Sequence, residues 1–125
     1  MTESILAQLK ELLVNFKIRS GIEAVVIMTR SGVNLVSSVT SKTNPDTLVA
    51  ISSALQNAAD IMVRKTRNSS ADRVVIECKH SNIIIADAGQ KALLLVMTDE
   101  HIALGPLFME MNILTGQVKK LLECY

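Results

Sequence analysis

Two histidines and a neighbouring acidic pair are the residues of this sequence that are best suited to acid–base or metal chemistry. His101 directly follows Asp99 and Glu100, and His80 lies in a separate short polar segment. A catalytic zinc site needs three protein ligands, and an activated nucleophile needs a base within hydrogen-bond reach. Neither a His-x-x-x-His spacing nor a cysteine cluster accompanies these histidines. We therefore predict solvated loop histidines, no catalytic residue and no metal site, and we expect that the chain is not an enzyme.

Phosphate binding has no recognisable loop in this sequence. Neither GxxxxGK[ST] nor GxGxxG occurs, and Gly32 and Gly89 are isolated turn glycines. Arg64, Lys65 and Arg67 form a basic cluster, but at the C-terminal end of a predicted helix such cations complement the helix dipole. We therefore expect no bound cofactor and no nucleotide hydrolysis by the chain itself.

Composition and charge restrict the partners and the compartment. The 125 residues are 49% hydrophobic but only 2% aromatic, and the formal net charge is +1. A near-neutral chain lacks the field that attracts phosphate backbones, and scarce aromatic rings leave few platforms for stacked bases. Cys78 and Cys124 have no CxxC partner, the charged start is unlike a secretory signal, and no apolar run approaches a membrane span. We predict one cytoplasmic domain over residues 1–125, with reduced thiols, no nucleic-acid partner and no membrane insertion.

Apolar spacing and turn residues divide the chain into eight elements. Apolar residues recur at helical spacing near both ends, and β-branched runs flank the Arg30-Ser31-Gly32 turn. A polar break over 41–44 precedes Pro45, where Asn44 is suited to cap a long helix. The predicted elements are, in order, a helix over 3–17, strands over 24–28 and 33–39, a helix over 45–67, strands over 73–79, 83–87 and 92–98, and a helix from 104 to the end.

The strand pattern predicts a sheet that is covered on both faces. Residues 83–85 and 93–96 are apolar at consecutive positions, not at alternating ones. The fold class is therefore α/β (α+β): a three-layer sandwich of order α-β-β-α-β-β-β-α, with a five-stranded antiparallel sheet. The long middle helix is expected on one face, and the two terminal helices together on the other.

The middle helix carries more apolar surface than one sheet face needs. Its sheet-facing residues are predicted to be Leu48, Ile51, Leu55, Ala58 and Met62. Small residues on the flank would let a second copy of the helix approach, unless the chain's own loops cover them. The strand over 73–79 could lie at a sheet edge and pair with its own copy. The predicted dimer interface consists of Ala50, Ala54, Ala58, Ile61, Val74 and Ile76.

Element order and local motifs together resemble the roadblock family of dynein light chains and bacterial polarity regulators. The segment 21–28 leads through the turn at residues 30–32 into 33–38, and the Ala-rich middle helix, the 93–96 strand and the Leu104-Gly105-Pro106-Leu107 break follow. The resemblance covers essentially the whole chain. It implies a roadblock/profilin-like fold and a homodimer, or a heterodimer with a paralogue, in which the middle helices lie side by side on a shared sheet.

The resemblance also implies a function through Ras-like small GTPases, which family members bind, regulate or hold in larger complexes without hydrolysing nucleotide themselves. In the dimer, an exposed polar ridge on the middle helix would form a platform for the GTPase. The family does not imply an arginine-finger role for the ridge's arginine, so we assign it to the platform only. The predicted platform residues are Ser53, Gln56, Asn57, Asp60 and Arg64.

Two other functions remain open from the sequence. One is a small-molecule sensor domain of profilin-like fold, with a ligand between sheet and helices, although such pockets usually combine aromatic rings with convergent polar groups. The other is a structural adaptor that has no GTPase partner. A ligand pocket beneath a helix would favour the first, and co-purification without a GTPase would favour the second.

Overall fold

The computed structural model describes residues 3–40 and 44–124. The predicted order α-β-β-α-β-β-β-α is confirmed within these ranges, and of the predicted break over 41–44 only Asn44 is described. The elements are α1 (Glu3–Ser20), β1 (Ala24–Thr29), β2 (Asn34–Val39), α2 (Pro45–Arg67), β3 (Arg73–Glu77), β4 (Ser81–Asp87), β5 (Ala92–Asp99) and α3 (Leu104–Glu123).

The five strands form one antiparallel sheet in the order β2-β1-β5-β4-β3. β5 is central, and its residues from Leu93 to Val96 are all buried, because helices cover both faces of the sheet. Gly32 in the β1–β2 turn has φ 92° and Gly89 in the β4–β5 turn has φ 97°, a region that glycine adopts without steric cost. The three-layer sandwich is therefore confirmed.

The larger core lies between the sheet and the layer formed by α1 and α3. Leu9, Leu13 and Phe16 on α1 and Met111 and Leu114 on α3 are at most 1% exposed. They recur at the three- and four-residue spacing of an amphipathic helix, and they pack on aliphatic side chains of the central strands. Aliphatic packing against one buried phenylalanine thus fixes both terminal helices on the same face.

α2 covers the opposite face over a smaller core. Local sequence signals define both ends of α2. At its start, Asn44 accepts a hydrogen bond from the Asp46 amide at 2.9 Å, and Pro45 occupies the first turn. At its end, Asn68 adopts the left-handed conformation. The predicted Asn44 cap is confirmed. The core beneath α2 is formed by Val26, Met28, Val49, Ile85, Leu93 and Leu95.

The orientation of α2 differs from the prediction. The structure turns a polar face toward the sheet, and most of the apolar face that was expected there points away from it. Four of the five residues predicted to face the sheet are exposed, so their predicted placement is wrong: Ile51, Leu55, Ala58 and Met62. The residues that α2 buries are Val49, Ser52, Ser53, Gln56 and Asp60. This orientation is stable because the buried polar side chains find partners beneath the helix, which hydrophobic periodicity alone does not reveal.

Candidate interaction surface

A continuous apolar stripe runs along the outer surface of α2. All of its members are exposed; Ile51 is 55% exposed and Met62 is 68% exposed. Single exposed apolar residues are normal on a soluble protein, whereas a large contiguous apolar patch marks a contact surface. We call this surface the outer stripe, and it consists of Ile51, Ala54, Leu55, Ala58, Ile61 and Met62.

An arginine beneath α2 fixes the helix with the outer stripe turned to the outside. Arg30 follows β1, and its guanidinium donates to Asp60 Oδ2 at 2.9 Å, to Asp87 Oδ1 and to the Gly89 carbonyl at 2.9 Å. The Asp60 side chain is only 7% exposed, and a carboxylate buried this far needs a cationic or hydrogen-bonding partner. Rotation of α2 about its axis would separate Asp60 from Arg30.

Three further hydrogen bonds hold the same face of α2. Asp60 Oδ1 accepts from the Ala71 amide at 2.9 Å, and Gln56 Nε2 donates to the Ala71 carbonyl at 2.9 Å. Ser53 Oγ donates to the Arg30 carbonyl at 2.5 Å. A Cβ on Gly32 would lie 3.3 Å from Ser53 Cβ, so the helix approaches the β1–β2 turn as closely as these small residues allow. Specific polar pairing and close approach together determine the orientation of α2.

The two edges of the sheet are protected to different degrees. On the β2 edge, Lys10 of α1 donates to the Ser37 carbonyl and Lys17 donates to Ser38 Oγ at 3.1 Å. Covering an edge strand with a helix and with lysine side chains is a common protection against strand pairing. β3 forms the other edge, and within the described part of the chain it pairs with β4 alone. Its predicted position at an edge is confirmed.

The structure brings the predicted dimer-interface residues to one side of the molecule. Ala54, Ala58 and Ile61 belong to the outer stripe, and Ala50 is exposed beside it. Val74 and Ile76 are half-buried on the α2 side of β3, since Val74 packs with the core beneath α2 and Ile76 is two residues further along the strand. Their role as an interface stays a prediction.

The predicted GTPase platform does not exist as one exposed ridge. Ser53, Gln56 and Asp60 are at most 5% exposed and face the sheet, so their placement on the surface is wrong. The cause is the same inversion of α2, in which polar groups bond to Arg30 and Ala71. Asn57 and Arg64 are exposed and remain candidates for contact with a partner.

Sequence reasoning missed Ile51, Leu55 and Met62 as surface residues. Helical periodicity shows which residues share a face, but not which neighbour that face contacts. The available signal was the pairing of small and polar residues, Ser53 and Asp60, with Arg30 and Gly32 at the preceding turn. That signal becomes interpretable only when the distances between these residues are known.

Two of the open depressions on the described surface are relevant to ligand binding. A cleft of about 700 Å³ at the end of the sheet contains Arg30, Asp60, Arg64 and Lys119. A groove of about 530 Å³ runs between α1 and α3 beside Leu12 and Leu121. Neither lies between the sheet and a helix layer, where the sensor hypothesis needs its ligand.

The two histidines are exposed, as predicted: His80 Nδ1 lies 2.7 Å from Glu100 Oε2, and His101 follows β5. Among the described residues, no three His, Cys, Asp or Glu side chains are grouped as a metal site requires. No helix within 3–40 and 44–124 is long and apolar enough to cross a bilayer.

A match to a family model identifies the protein family to which this chain belongs. The family model of the Roadblock/LC7 domain matches residues 8–98. The chain belongs to the Roadblock/LC7 family. No curated protein sequence matches it significantly, so the relationship of this Roadblock/LC7 domain to known proteins rests on the family model and on structural similarity.

Solved structures share the fold of this Roadblock/LC7 domain at low sequence identity. Myxococcus xanthus MglB is 13% identical with a TM-score of 0.92, covering 99% of this chain and 94% of its own. An MglB with a tetrameric arrangement is 16% identical with a TM-score of 0.91, covering 98% and 93%. Acanthamoeba castellanii profilin IA is 13% identical with a TM-score of 0.63, covering 89% and 96%. The roadblock/profilin-like fold is therefore confirmed.

Proposed function

We propose that the chain is a non-catalytic dimeric regulator or scaffold that binds a Ras-like small GTPase. The observation that carries this proposal is the outer stripe, an apolar helix face turned away from the sheet by buried polar contacts. Membership of the Roadblock/LC7 family supports the GTPase part of the proposal, because the sequence resemblance to that family implies such partners. The dimer follows from the outer stripe, because an exposed apolar helix face needs a second surface to cover it.

A second copy of the chain is the occupant that best fits the outer stripe. Ala54 and Ala58 are small enough for another helix to approach closely, and Ile61 and Met62 extend the apolar surface toward the C-terminal end of α2. The β3 edge belongs to the same monomer, so a two-fold axis can bring both features into one self-complementary interface. The MglB with a tetrameric arrangement gives a precedent for self-association within this fold.

Burial of the outer stripe alone contributes too little free energy for a stable dimer, so the β3 edge is needed as well. Full burial of a large aliphatic side chain contributes about 1.5–3 kcal/mol. In the monomer, Ile51, Leu55 and Met62 are still between 38% and 68% exposed. Burying these exposed fractions on both copies contributes on the order of 6 kcal/mol, at the lower end of the roughly 4–15 kcal/mol cost of association. Backbone pairing at β3 would supply the additional stabilisation.

The dimer is tested by placing a charge in the outer stripe. Ile51→Asp should convert a dimer into a monomer in analytical ultracentrifugation at micromolar concentration, because the carboxylate would be buried without a partner. Ile113→Asp is the matched control, since Ile113 on α3 is 53% exposed and lies on the opposite side of the sheet. It should remain a dimer. A wild-type protein that sediments as a monomer at these concentrations would contradict the proposed dimer.

We place the GTPase contact on the exposed polar flank of α2. Asn57 and Arg64 lie beside the outer stripe, and a two-fold dimer presents both residues twice. Arg64→Glu should weaken binding of a Ras-like GTPase from the same genome by about tenfold, measured by isothermal titration calorimetry, because reversing a charge at the rim of an interface removes its electrostatic complementarity with the partner. The control Arg19→Glu changes an exposed arginine on α1 and should leave binding unchanged.

The nucleotide state of the GTPase separates regulation from scaffolding. A regulator that biases the switch segments must bind the GDP form and the GTP-analogue form with different affinities, because a ligand shifts an equilibrium only by its differential affinity. Equal affinities would exclude that role and leave a scaffold. If neither form binds the dimer, the GTPase part of the proposal is wrong and the structural adaptor is favoured.

A further inference from the structure

A cleft at one end of the sheet brings together cationic side chains from separate parts of the chain. It has a volume of about 700 Å³ and lies beside the C-terminal parts of α2 and α3 and the turn between β4 and β5. None of its lining residues belongs to the outer stripe, so the apolar seam of the proposed dimer does not use them. Its four cations are Arg30, Arg64, Lys91 and Lys119.

The carboxylates of this cleft already have partners within the chain. Asp60 and Asp87 both pair with the Arg30 guanidinium, and Glu123 Oε1 accepts from the Gln90 amide at 3.3 Å. A carboxylate that is bonded to the wall of a cleft repels an anionic ligand less than a free one does, because a neighbouring donor balances part of its charge. These acidic residues therefore leave the cleft open to an anion.

Several cationic donors of the cleft are free. Lys91 Nζ donates to the Leu122 carbonyl at 3.2 Å. By contrast, neither Arg64 nor Lys119 forms an ion pair or a side-chain hydrogen bond with another residue in the ranges 3–40 and 44–124. Arg30 has five N–H groups, and its three hydrogen bonds within the chain use no more than three of them. Donors of three cations thus remain for an external acceptor.

Gly89 is the point at which two of these cations meet. Its carbonyl accepts from Arg30 at 2.9 Å, and a Cβ on Gly89 would lie 2.9 Å from Lys119 Cγ. The aliphatic part of the Lys119 side chain therefore crosses directly over the turn that holds Arg30. A side chain at position 89 would occupy the space that Lys119 uses, so glycine at this turn permits the approach of α3.

Helix dipoles alone do not explain this arrangement. Cations are stabilised near the C-terminal end of a helix, and Arg64 lies in the last turn of α2. Lys65 in the last turn of α2 and Lys120 in the last turn of α3 satisfy the dipoles equally well, yet neither lines the cleft. The dipoles account for basic residues at the helix ends, but not for the presence of Arg64 and Lys119 in one cleft.

We propose that this cleft binds a phosphorylated small molecule through its phosphate groups, which Arg64 and Lys119 contact while Arg30 supplies a third cation. The site does not depend on the dimer or on GTPase binding. A chain of phosphate groups carries several negative charges and many acceptor oxygens, so it matches separate cations better than a single carboxylate does. The volume of the cleft lies within the range of small-molecule sites.

The composition of the cleft indicates which part of the ligand is recognised. Among the described residues, no aromatic side chain lines it, so a nucleobase finds no ring on which to stack. The donors come from three places that are distant in sequence, namely Arg30 after β1, Arg64 on α2 and Lys119 on α3. A phosphate site of this kind has no glycine-rich loop and leaves no short sequence motif.

Binding of inorganic pyrophosphate tests the site. Isothermal titration calorimetry at low ionic strength, where exposed charges are least screened, should show one site per wild-type chain. Arg64→Ala and Lys119→Ala should each weaken binding by about tenfold, because each removes a charged hydrogen bond to the ligand. Lys65→Ala is the matched control, since it removes an exposed cation next to Arg64 but outside the cleft, and it should leave the affinity nearly unchanged. Thermal unfolding without ligand checks that each variant is folded.

Tripolyphosphate, ATP and adenosine, each without magnesium, identify the source of the phosphate. Equal affinities for tripolyphosphate and ATP, together with no binding of adenosine, would assign the site to the phosphate chain alone, as the lining predicts. Clearly tighter binding of ATP than of tripolyphosphate would assign it to a nucleotide that is held mainly by its phosphates. Adenosine that binds as tightly as ATP would overturn recognition through phosphate.

Two other results would also overturn the proposal. One is the absence of pyrophosphate binding at low ionic strength. The other is an equal loss of affinity in Lys65→Ala and Lys119→Ala, which would show a general response to surface charge. Arg64 is shared with the proposed GTPase contact but Lys119 is not, so Lys119→Ala should lose pyrophosphate binding and keep GTPase binding. The phosphate site and the GTPase contact can therefore fail independently of each other.

Discussion

Arg30 connects three parts of the structure that are distant in sequence. Its guanidinium contacts Asp60 on α2, Asp87 at the end of β4 and the Gly89 carbonyl in the following turn. Its own carbonyl accepts the Ser53 hydroxyl. A charged group between a helix and a sheet fixes the rotation of the helix about its axis, because its hydrogen bonds and ion pairs form in only one orientation. For α2 this group is Arg30. We attribute the outward position of the outer stripe to this arginine.

Removal of the Asp60 carboxylate should be more destabilising than removal of Asp87. Asp60→Ala should lower the free energy of unfolding by about 2–3 kcal/mol, because Arg30, Gln56 and the Ala71 amide lose an acceptor in a buried place. Asp87 is 40% exposed, so Asp87→Ala should cost less than about 1 kcal/mol. Urea unfolding at a fixed protein concentration measures both values. Equal losses would mean that Asp60 does not hold α2 through Arg30.

Two glycines should respond to alanine with opposite signs. Gly32 has φ 92°, and its Cβ would lie 3.3 Å from Ser53 Cβ and 3.4 Å from Ala50 Cα. Gly32→Ala should therefore reduce stability by about 1–3 kcal/mol. Gly116 is helical and exposed, and beyond its chain neighbours and the backbone of its own helix nothing lies within 4 Å of an added Cβ, so Gly116→Ala should increase stability by about 0.5–1 kcal/mol. Calorimetric midpoints would test both signs, and a loss of stability at Gly116 would contradict the helix-propensity argument.

At the level of elements, the sequence predicted each helix and strand but not how α2 faces the sheet. Turn glycines, the Asn44 cap and consecutive apolar runs are local signals. They predicted bounds for α2 and the central strands that lie close to the observed ones. The orientation of α2 depends on Arg30, which is thirty residues from Asp60. The same inversion removed Ser53 and Gln56 from the candidate site and added Ile51 to it. Local periodicity therefore predicted the element but not its contacts.

The cap of α2 gives a test within a single helix. Asn44→Ala removes the side-chain acceptor of the Asp46 amide and should lower the free energy of unfolding by about 1 kcal/mol. Asn57→Ala makes the same chemical change in the middle of α2, where Asn57 is exposed, and should leave stability unchanged or raise it slightly, because alanine has the higher helix propensity. Chemical unfolding of both variants at equal concentration provides the measurement. A larger loss for Asn57→Ala would indicate that this exposed residue makes a contact in the assembled protein.

At the scale of the whole molecule, the two sheet edges suggest a direction of assembly. Lys10 and Lys17 from α1 cover the β2 edge, whereas β3 is open to a partner strand and lies on the same monomer as the outer stripe. Growth of the sheet at β3 with a two-fold axis closes after two copies. The lysine-protected β2 edges then become the ends of the joined sheet, which discourages further strand pairing.

A closed dimer of this kind links thermal stability to protein concentration. Each tenfold increase in concentration stabilises a folded dimer by about 1.4 kcal/mol relative to two unfolded chains. With the usual entropy of unfolding per residue, this corresponds to a rise in Tm of about 3 °C for a dimer of this size. Differential scanning calorimetry from about 5 to 500 µM would measure the rise.

One substitution in the outer stripe and one on α3 show whether the concentration dependence of Tm comes from the proposed dimer. Ile51→Asp should show a Tm that is independent of concentration, because its unfolding involves one chain only, while Ile113→Asp should retain the wild-type slope. A concentration-independent wild type would argue that α2 carries its exposed Ile51 and Met62 in a monomer. The outer stripe would then be available for a different protein.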